Sequence, residues 1–355
     1  MHAFRALALL VVCTAPACGP GAAPEASGGW RYVSLPGTQC RGGGPAGVGL
    51  REGTGDLLIV LDGGGRCSDA ASCAGNRAGY GAGAFRAQMA RRGADGILSP
   101  DPGNPVGAWT AAFVPYCTGD FHGGTRPDVA VPGVSGVQQF VGHRNVQAVL
   151  DTLASLLPAP RRVLLAGGSA GGLGALLNFD AVARRFPASG VALVSDSGPA
   201  FAYGEAFPRR LGTRFEALYG LSGTVPQAAL RERGPAALIP YYAEAYPRAA
   251  LGLSSHADDP AVRRHLGSGG VAVAPEAFAA ALADLRAVAP PPWRFYVAPG
   301  QGHVFLARSG TYAGDHGSYA EWVQRLVEDA GPLAPEAAGS AGIRGRMGDA
   351  GAGAP

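Results

Sequence analysis

Short apolar runs alternate along this chain with longer stretches in which apolar residues recur every three or four positions. Leu57-Leu58-Ile59-Val60-Leu61 is an unbroken apolar run bracketed by Asp56 and Asp62, the pattern of a strand buried on both faces. Runs of the same kind occur at 112–114, 163–166, 191–195, 249–253 and 295–298. Between several of them lie helical patterns. Residues 137–157 carry Val146, Val149, Leu150, Leu153 and Leu157 on one stripe, so a helix is predicted there, and a second continues from a strand over 170–186. Ser318-Tyr319-Ala320-Glu321 has capping-box spacing and opens a last helix through Trp322, Val323 and Leu326. Strands alternating with helices imply an α/β fold, a mainly parallel central sheet flanked by helices in three layers. The segment 201–246 is rich in proline and shows no strand pattern, so we expect a cap-like insertion over the carboxyl edge of the sheet. There is no internal repeat at a solenoid or propeller period.

The two ends read differently from this body. Arg5, the apolar stretch Ala6 to Val12 and the small residues Thr14-Ala15-Pro16-Ala17 have the three zones of a secretory signal peptide, assigned to 1–17. Residues 18–29 read as a flexible linker, 30–330 as the folded domain and 331–355 as a disordered tail, because both flanks are Gly/Ala/Pro-rich with few bulky apolar side chains. No later stretch reaches the ~18 uninterrupted apolar residues that a membrane span needs. The chain is expected to be exported by a bacterium, as a secreted, periplasmic or cell-envelope protein.

Composition refines this picture. With 47% hydrophobic and 15% charged residues, the 355-residue chain can bury a substantial core. Glycine (57) and proline (29) approach low-complexity levels, so where the glycines sit matters more than how many there are. All 29 basic residues are arginine, a compositional bias, and a net charge of +3 with no basic run argues against nucleic acid as a partner. Cysteines stand at 13, 18, 40, 67, 73 and 117. If Cys18 carries a lipid anchor, four remain for two disulfides in an oxidising compartment; ordinary cleavage after Ala17 or a few residues later is the alternative.

The strongest chemical signal is Val163-Leu164-Leu165-Ala166-Gly167-Gly168-Ser169-Ala170-Gly171-Gly172, a strand entering a helix through Gly-x-Ser-x-Gly. A serine at so sharp a turn projects its hydroxyl above the sheet edge, and flanking small residues let the turn pack. Such a hydroxyl needs a base to take its proton. In the order serine, acid, histidine, the downstream candidates are His256, His265, His303 and His316, and His303 sits in a loop just past the strand pattern that ends at Ala298. The acid should follow an earlier strand, where Asp258 and Asp259 are adjacent. Either can orient the imidazole, with Asp259 preferred, although Asp259-Pro260 also reads as a helix N-cap followed by proline. Gly63-Gly64-Gly65 follows the first strong strand, where backbone N–H groups can approach a substrate oxygen, and the N–H of Ala170 would complete an oxyanion hole. A phosphate-cradling loop would end in Gly-Lys-Ser/Thr, and the chain has no lysine. No cysteine/histidine cluster has ligand spacing, so neither metal nor cofactor is expected.

In succession, these blocks resemble the pectin acetylesterase family, which includes the Notum-type esterases. The matching pieces are Gly37-Thr38-Gln39-Cys40 with Pro45-Ala46-Gly47, Leu61 to Cys67, Pro115-Tyr116-Cys117-Thr118-Gly119-Asp120 with Gly123-Gly124, Gly142-His143-Arg144-Asn145-Val146, Gly167 to Gly172, Asp196-Ser197-Gly198 and the late histidine. The resemblance implies an α/β-hydrolase fold, a nucleophile at Ser169, oxyanion donors at Gly64, Gly65 and Ala170, and removal of acyl groups from hydroxyls. It also implies disulfides Cys67–Cys73 and Cys40–Cys117. The chain departs from the family at Gly65, where an aromatic is usual. Asp120 and His122 are further candidates to line the pocket, with a capping turn as the other role for Asp120.

The expected activity is that of a serine carboxylesterase acting on O-acetyl or other short acyl esters, with an acylated carbohydrate or small ester as substrate, no nucleic-acid partner and a monomeric state. A lipase or polyester depolymerase on longer acyl chains, and a non-catalytic surface binding protein, are the alternatives.

Overall fold

A computed structural model describes residues 27–221, 227–267, 271–308, 313–314 and 317–333. The predicted signal peptide, Cys18, His316 and residues 334–355 of the tail lie outside the described residues. The strands of the main sheet and of one hairpin are β1 (Trp30–Ser34), β2 (Gly47–Arg51), β3 (Thr54–Leu61), β4 (Trp109–Val114), β5 (Arg126–Ala130), β6 (Val137–Phe140), β7 (Arg162–Gly168), β8 (Gly190–Asp196), β9 (Ala250–Asp258) and β10 (Trp293–Gln301). Eight of them form one sheet in the order β1-β2-β4-β3-β7-β8-β9-β10. From β4 to β10 every pairing is parallel; β2 runs antiparallel to both β1 and β4 at the other edge.

The helices are α1 (Ala70–Ala74), α2 (Ala82–Arg92), α3 (Gly142–Leu156), α4 (Ala170–Arg185), α5 (Arg209–Tyr219), α6 (Gln227–Arg233), α7 (Leu238–Ala245), α8 (Pro260–Leu266), α9 (Pro275–Val288) and α10 (Tyr319–Asp329). They cover both faces of the sheet, which explains the unbroken apolar runs. Along β3, Leu57, Ile59 and Leu61 pack into one core with α3 and α4, while Leu58 and Val60 pack into the other with α2 and α10. β7 and β8 divide their side chains the same way, as the two-residue period of a strand requires. α10 starts at the predicted capping box, with Ser318 and Glu321 bonded reciprocally.

Three sequence expectations need adjusting. Residues 137–140 are not helical: Val137 and Phe140 pair with Ala130 and Arg126 in the β5–β6 hairpin, and the helix begins at Gly142. The cause is visible in the pattern, since the helical stripe starts only at Val146 and the residues before it can satisfy their backbone on β5. The antiparallel edge strands β1 and β2 were not foreseen; the glycines of β2 hide it, and Gly49 is required there because the Phe85 ring lies where a side chain would go. Third, the fold runs past residue 330: Pro332 bridges to Gly190, and Leu333 is buried. The segment 201–246 contains no strand among its described residues: an irregular stretch over 201–208 leads into α5, and α6 and α7 follow.

Candidate active site

Ser169 joins β7 to α4 with φ 58° and ψ −121°, a left-handed backbone that side chains other than glycine rarely adopt. Two bonds hold the strained turn: the Ser169 N–H donates to the Asp196 carbonyl on β8 (2.8 Å), and the Gly172 N–H donates to the Ser169 carbonyl (2.9 Å). The glycines of the motif are there for space. A side chain on Gly167 would run into the Gly171 carbonyl, and one on Gly171 into the carbonyl of Leu61.

Asp259 and His303 meet across the ends of β9 and β10. Asp259 is fully buried, and both of its carboxylate oxygens lie at hydrogen-bond distance from His303 Nδ1 (3.0 and 2.9 Å). The same Oδ1 accepts the N–H groups of Ala261 (3.1 Å) and Val262 (3.0 Å) at the start of α8. The two roles open to this aspartate, helix cap and imidazole partner, are therefore filled by one carboxylate at once. Asp258 ends β9 on the outer side, bonded to Arg263 (2.8 Å) and to Gln301 (2.8 Å). An imidazole whose Nδ1–H is held by a buried carboxylate presents Nε2 as the proton acceptor, the state a base for a serine hydroxyl requires.

The loop carrying His303 is anchored from below by residues that sequence reasoning quoted without a role. The Val304 N–H donates to Ser197 Oγ (3.0 Å), and the Leu306 N–H to Asp196 Oδ2 (2.8 Å). Ser254 Oγ donates to the other Asp196 oxygen (2.9 Å). Burial pushes the Asp196 carboxyl up to about 7, against the pull of these bonds. Val304 itself has φ 59°, so the anchor holds a strained backbone.

The glycine loop is set by its carbonyls. Asn76 Nδ2 donates to the Gly64 carbonyl (2.8 Å), which turns the Gly65 N–H of the same planar peptide the opposite way. The Tyr116 hydroxyl donates to the Gly65 carbonyl (3.0 Å). The N–H groups of Gly64, Gly65 and Ala170 have no acceptor among the described residues. Disulfides join Cys67 to Cys73 beside this loop and Cys40 to Cys117 behind it. Asn76 carried no sequence signal at all. Gly65 has φ 73°, and a Cβ there would lie 2.9 Å from the His265 ring, so the imidazole on α8 occupies the space above the departure at this position. Asp120 and His122 do not line the pocket. Both are buried; Asp120 accepts from Thr118 and from the Gly142 N–H, and His122 Nε2 lies 2.9 Å from the Asp62 carbonyl. Burial holds Asp120 up at about 6 and His122 down at about 4, so His122 is neutral at pH 7 and donates to that carbonyl.

Two cavities open on Ser169. The larger, about 630 Å³, also borders Gly63–Gly65, Arg92, Asp95, His265 and His303, and is the more polar of the two. The smaller, about 60 Å³, borders Ser169, Ala170, Gly65, Ser197 and His265 and is mostly apolar, with Phe121, Phe207 and Phe215 among its walls. A group bound at Ser169 therefore has one dry side and one wet side.

The family model for pectinacetylesterase matches residues 32–219, more than half of the chain. The chain belongs to the pectinacetylesterase family. Among its relatives, a palmitoleoyl-protein carboxylesterase of Xenopus laevis, notum1', is 34% identical over 175 residues, 45% of this chain and 34% of that protein. Pectin acetylesterase 5 of Arabidopsis thaliana is 32% identical over 171 residues, 46% of this chain and 39% of that protein. The chain thus spans about a third of the length of the curated relatives it matches. The crystal structure of the Wnt deacylase Notum from Drosophila aligns with 78% of this chain and 86% of its own, at a TM-score of 0.58 and 22% identity, which shows a shared α/β-hydrolase fold.

The pectinacetylesterase match contains the glycine loop, Ser169, Ala170 and all the disulfide cysteines, and it ends at the last residue of α5. Asp259 and His303 lie beyond it, so their pairing rests on the geometry described above.

Proposed function

We propose that this pectinacetylesterase-family member is an exported serine carboxylesterase that removes acetyl or other short acyl groups from hydroxyls, with acylated polysaccharide as its substrate class. The observation that carries the proposal is the buried Asp259 carboxylate on His303 Nδ1, beside a strained Ser169 facing the same cavity. In this mechanism Ser169 Oγ attacks the ester carbonyl carbon while its proton passes to His303 Nε2. The carbonyl oxygen becomes an oxyanion held by the N–H groups of Gly64, Gly65 and Ala170, a term worth about 3 kcal/mol per donor. The C–O bond to the alcohol breaks as His303 returns the proton to the leaving oxygen, and water then hydrolyses the acyl-serine by the reverse roles. Asp259 keeps the ring oriented and stabilises the imidazolium.

The two cavities support a division of the substrate between them. The small apolar one takes the acyl group; the large, more polar one takes the alcohol, with room for a sugar. The two disulfides fit an oxidising compartment, consistent with export and with a signal peptide at 1–17. A lipid anchor at Cys18 and a monomeric state complete the proposal. Release of nitrophenol from p-nitrophenyl acetate, compared between the wild type and Ser169→Ala, tests it; equal rates would end the esterase assignment.

A further inference from the structure

The small apolar cavity at Ser169 has a neighbour. A second cavity of about 420 Å³ lies on the far side of Leu173, Phe207, Phe215 and Pro235, which line both spaces and so form a common wall. Beyond that wall the lining is again mostly apolar, including Leu177, Tyr203 and Leu230, with the Glu216–Arg231 ion pair (3.3 Å) also at its border.

The two aromatic rings of the wall are not held alike. Phe215 belongs to α5 and is gripped on several sides: its ring meets Phe121 at 5.1 Å and Tyr219 at 5.6 Å, and the Arg66 guanidinium lies 5.6 Å above it. Phe207 precedes α5 in an irregular stretch, stacks only on Tyr203 (5.5 Å) and stands 6.4 Å from Phe215. Tyr203 borders the far cavity, so of the two rings in the common wall Phe207 is the one backed by that cavity's own lining and the one with fewer ring contacts.

We propose that Phe207 sets the acyl length this enzyme accepts, and that removing its ring joins the two cavities and admits chains of medium length. The inference rests on the esterase reading above and names the substrate class within it. A cavity of about 150 Å³ takes the six heavy atoms of benzene, about 25 Å³ each, so a 60 Å³ cavity holds about two or three, enough for acetyl or propionyl. An octanoyl chain must enter the second cavity, and Phe207 stands in its way.

The test is a series of p-nitrophenyl acetate, butyrate and octanoate esters with the wild type, Phe207→Ala and the gentler Phe207→Leu, each checked for folding by circular dichroism. For the wild type, kcat/KM should fall at least about 100-fold from acetate to octanoate, since the first one or two methylenes that the pocket cannot accept already cost about tenfold or more each. Phe207→Ala should raise the octanoate-to-acetate ratio at least about tenfold, with Phe207→Leu between. A wild type that takes octanoate as readily as acetate would overturn the proposal, as would folded variants with an unchanged ratio. A second readout needs no turnover. In a Ser169→Ala background, octanoate should protect against thermal unfolding only when Phe207 is also alanine, and equal protection, or none, in both proteins counts against the gate. If the wild type hydrolyses no ester faster than Ser169→Ala, the esterase reading fails by itself, and the protection experiment still decides whether the cavities join.

Discussion

Two parts of the molecule meet at Ser169, and they are built on different principles. Beneath it, the carboxyl ends of β3, β7, β8, β9 and β10 supply the glycine loop, the serine turn, Asp259 and the histidine loop. These are tied to one another by backbone bonds such as Ser169 N–H to Asp196 O and Leu306 N–H to Asp196 Oδ2. Above it, residues 199–221 and 230–246 contribute a wall of packed rings, with Phe201 on Phe278 (5.4 Å) and Phe207 on Tyr203. The lower part is held by short, directional contacts that fix atoms to tenths of an ångström. The upper part is tied to the body by a few side-chain bonds, such as the Tyr219 hydroxyl to the Cys67 carbonyl (2.9 Å). Its rings that face the cavities, however, are held mainly by non-directional apolar packing, which tolerates a change of side chain better. Under the proposed function, the difference places the capacity to react in the sheet ends and the choice of acyl group in the cap.

Substitutions in the lower part should therefore abolish turnover, where those in the cap should redistribute it. Ser169→Ala should lower kcat on p-nitrophenyl acetate by about 10⁴-fold or more, with little change in melting temperature. Asp259→Asn should cost about 10³–10⁴-fold in kcat, because the amide no longer holds the Nδ1–H tautomer, yet it still caps α8. Asp259→Ala should lose the same activity and about 1 kcal/mol of stability besides, read from urea unfolding. Asp258→Asn, on the outer side, should change kcat less than about tenfold. If Asp258→Asn is the damaging change instead, the assignment of the acid is wrong and the comparison loses its lower half.

How much of this could be read in the sequence follows the same division. Gly-x-Ser-x-Gly and the glycine loop were legible because steric necessity leaves only glycine at their close approaches. The buried strands were legible because a parallel strand covered on both faces must be apolar throughout. Asp259 was preferred over the adjacent Asp258 without being separated from it; only the β9 register and the turn into α8 decide which carboxylate points inward. Asn76 and the Asp196–Ser197 anchor act through backbone groups far away in sequence, and such pairings leave no local pattern. Phe207 and Phe215 were just apolar residues in a proline-rich stretch, since packing across a cavity has no periodicity of its own.

The disulfides sharpen the comparison by separating stability from activity. Cys40–Cys117 closes a long loop, 77 residues apart, and replacing both cysteines by serine should cost about 4 kcal/mol in urea unfolding. Cys67–Cys73 spans only 6 positions and should cost about 2 kcal/mol. The smaller stability loss should bring the larger activity loss, because the short bridge borders the glycine loop, and kcat/KM on p-nitrophenyl acetate measured at temperatures where both variants are folded reads this directly. Equal activity losses would mean that Asn76 and Tyr116 suffice to hold the loop.

The smallest effect concerns Asp196, which lies under the histidine loop and never touches substrate. Its carboxyl is raised from 3.8 to about 7 in the folded protein, so between those values the native state holds a proton that the unfolded chain has released. Stability from this group is complete below pH 3.8 and is lost as pH rises towards 7, at a slope on the order of 1 kcal/mol per pH unit. Asp120, raised to about 6, acts in the same sense, whereas Asp69 and Asp258, both lowered, matter only in more acidic solution. Asp196→Asn should flatten the part of this slope that belongs to Asp196, seen in urea unfolding at intervals from pH 4 to 8. It should keep most activity, since the amide oxygen can still accept the Leu306 N–H and the Ser254 hydroxyl can turn to accept the amide. Asp196→Ala leaves the Leu306 N–H buried without its acceptor, so His303 should lose its fixed position and kcat should fall by about tenfold or more with KM little changed. Equal kcat values for the two variants would show that Ser197 and Asp259 position the histidine loop without help from Asp196.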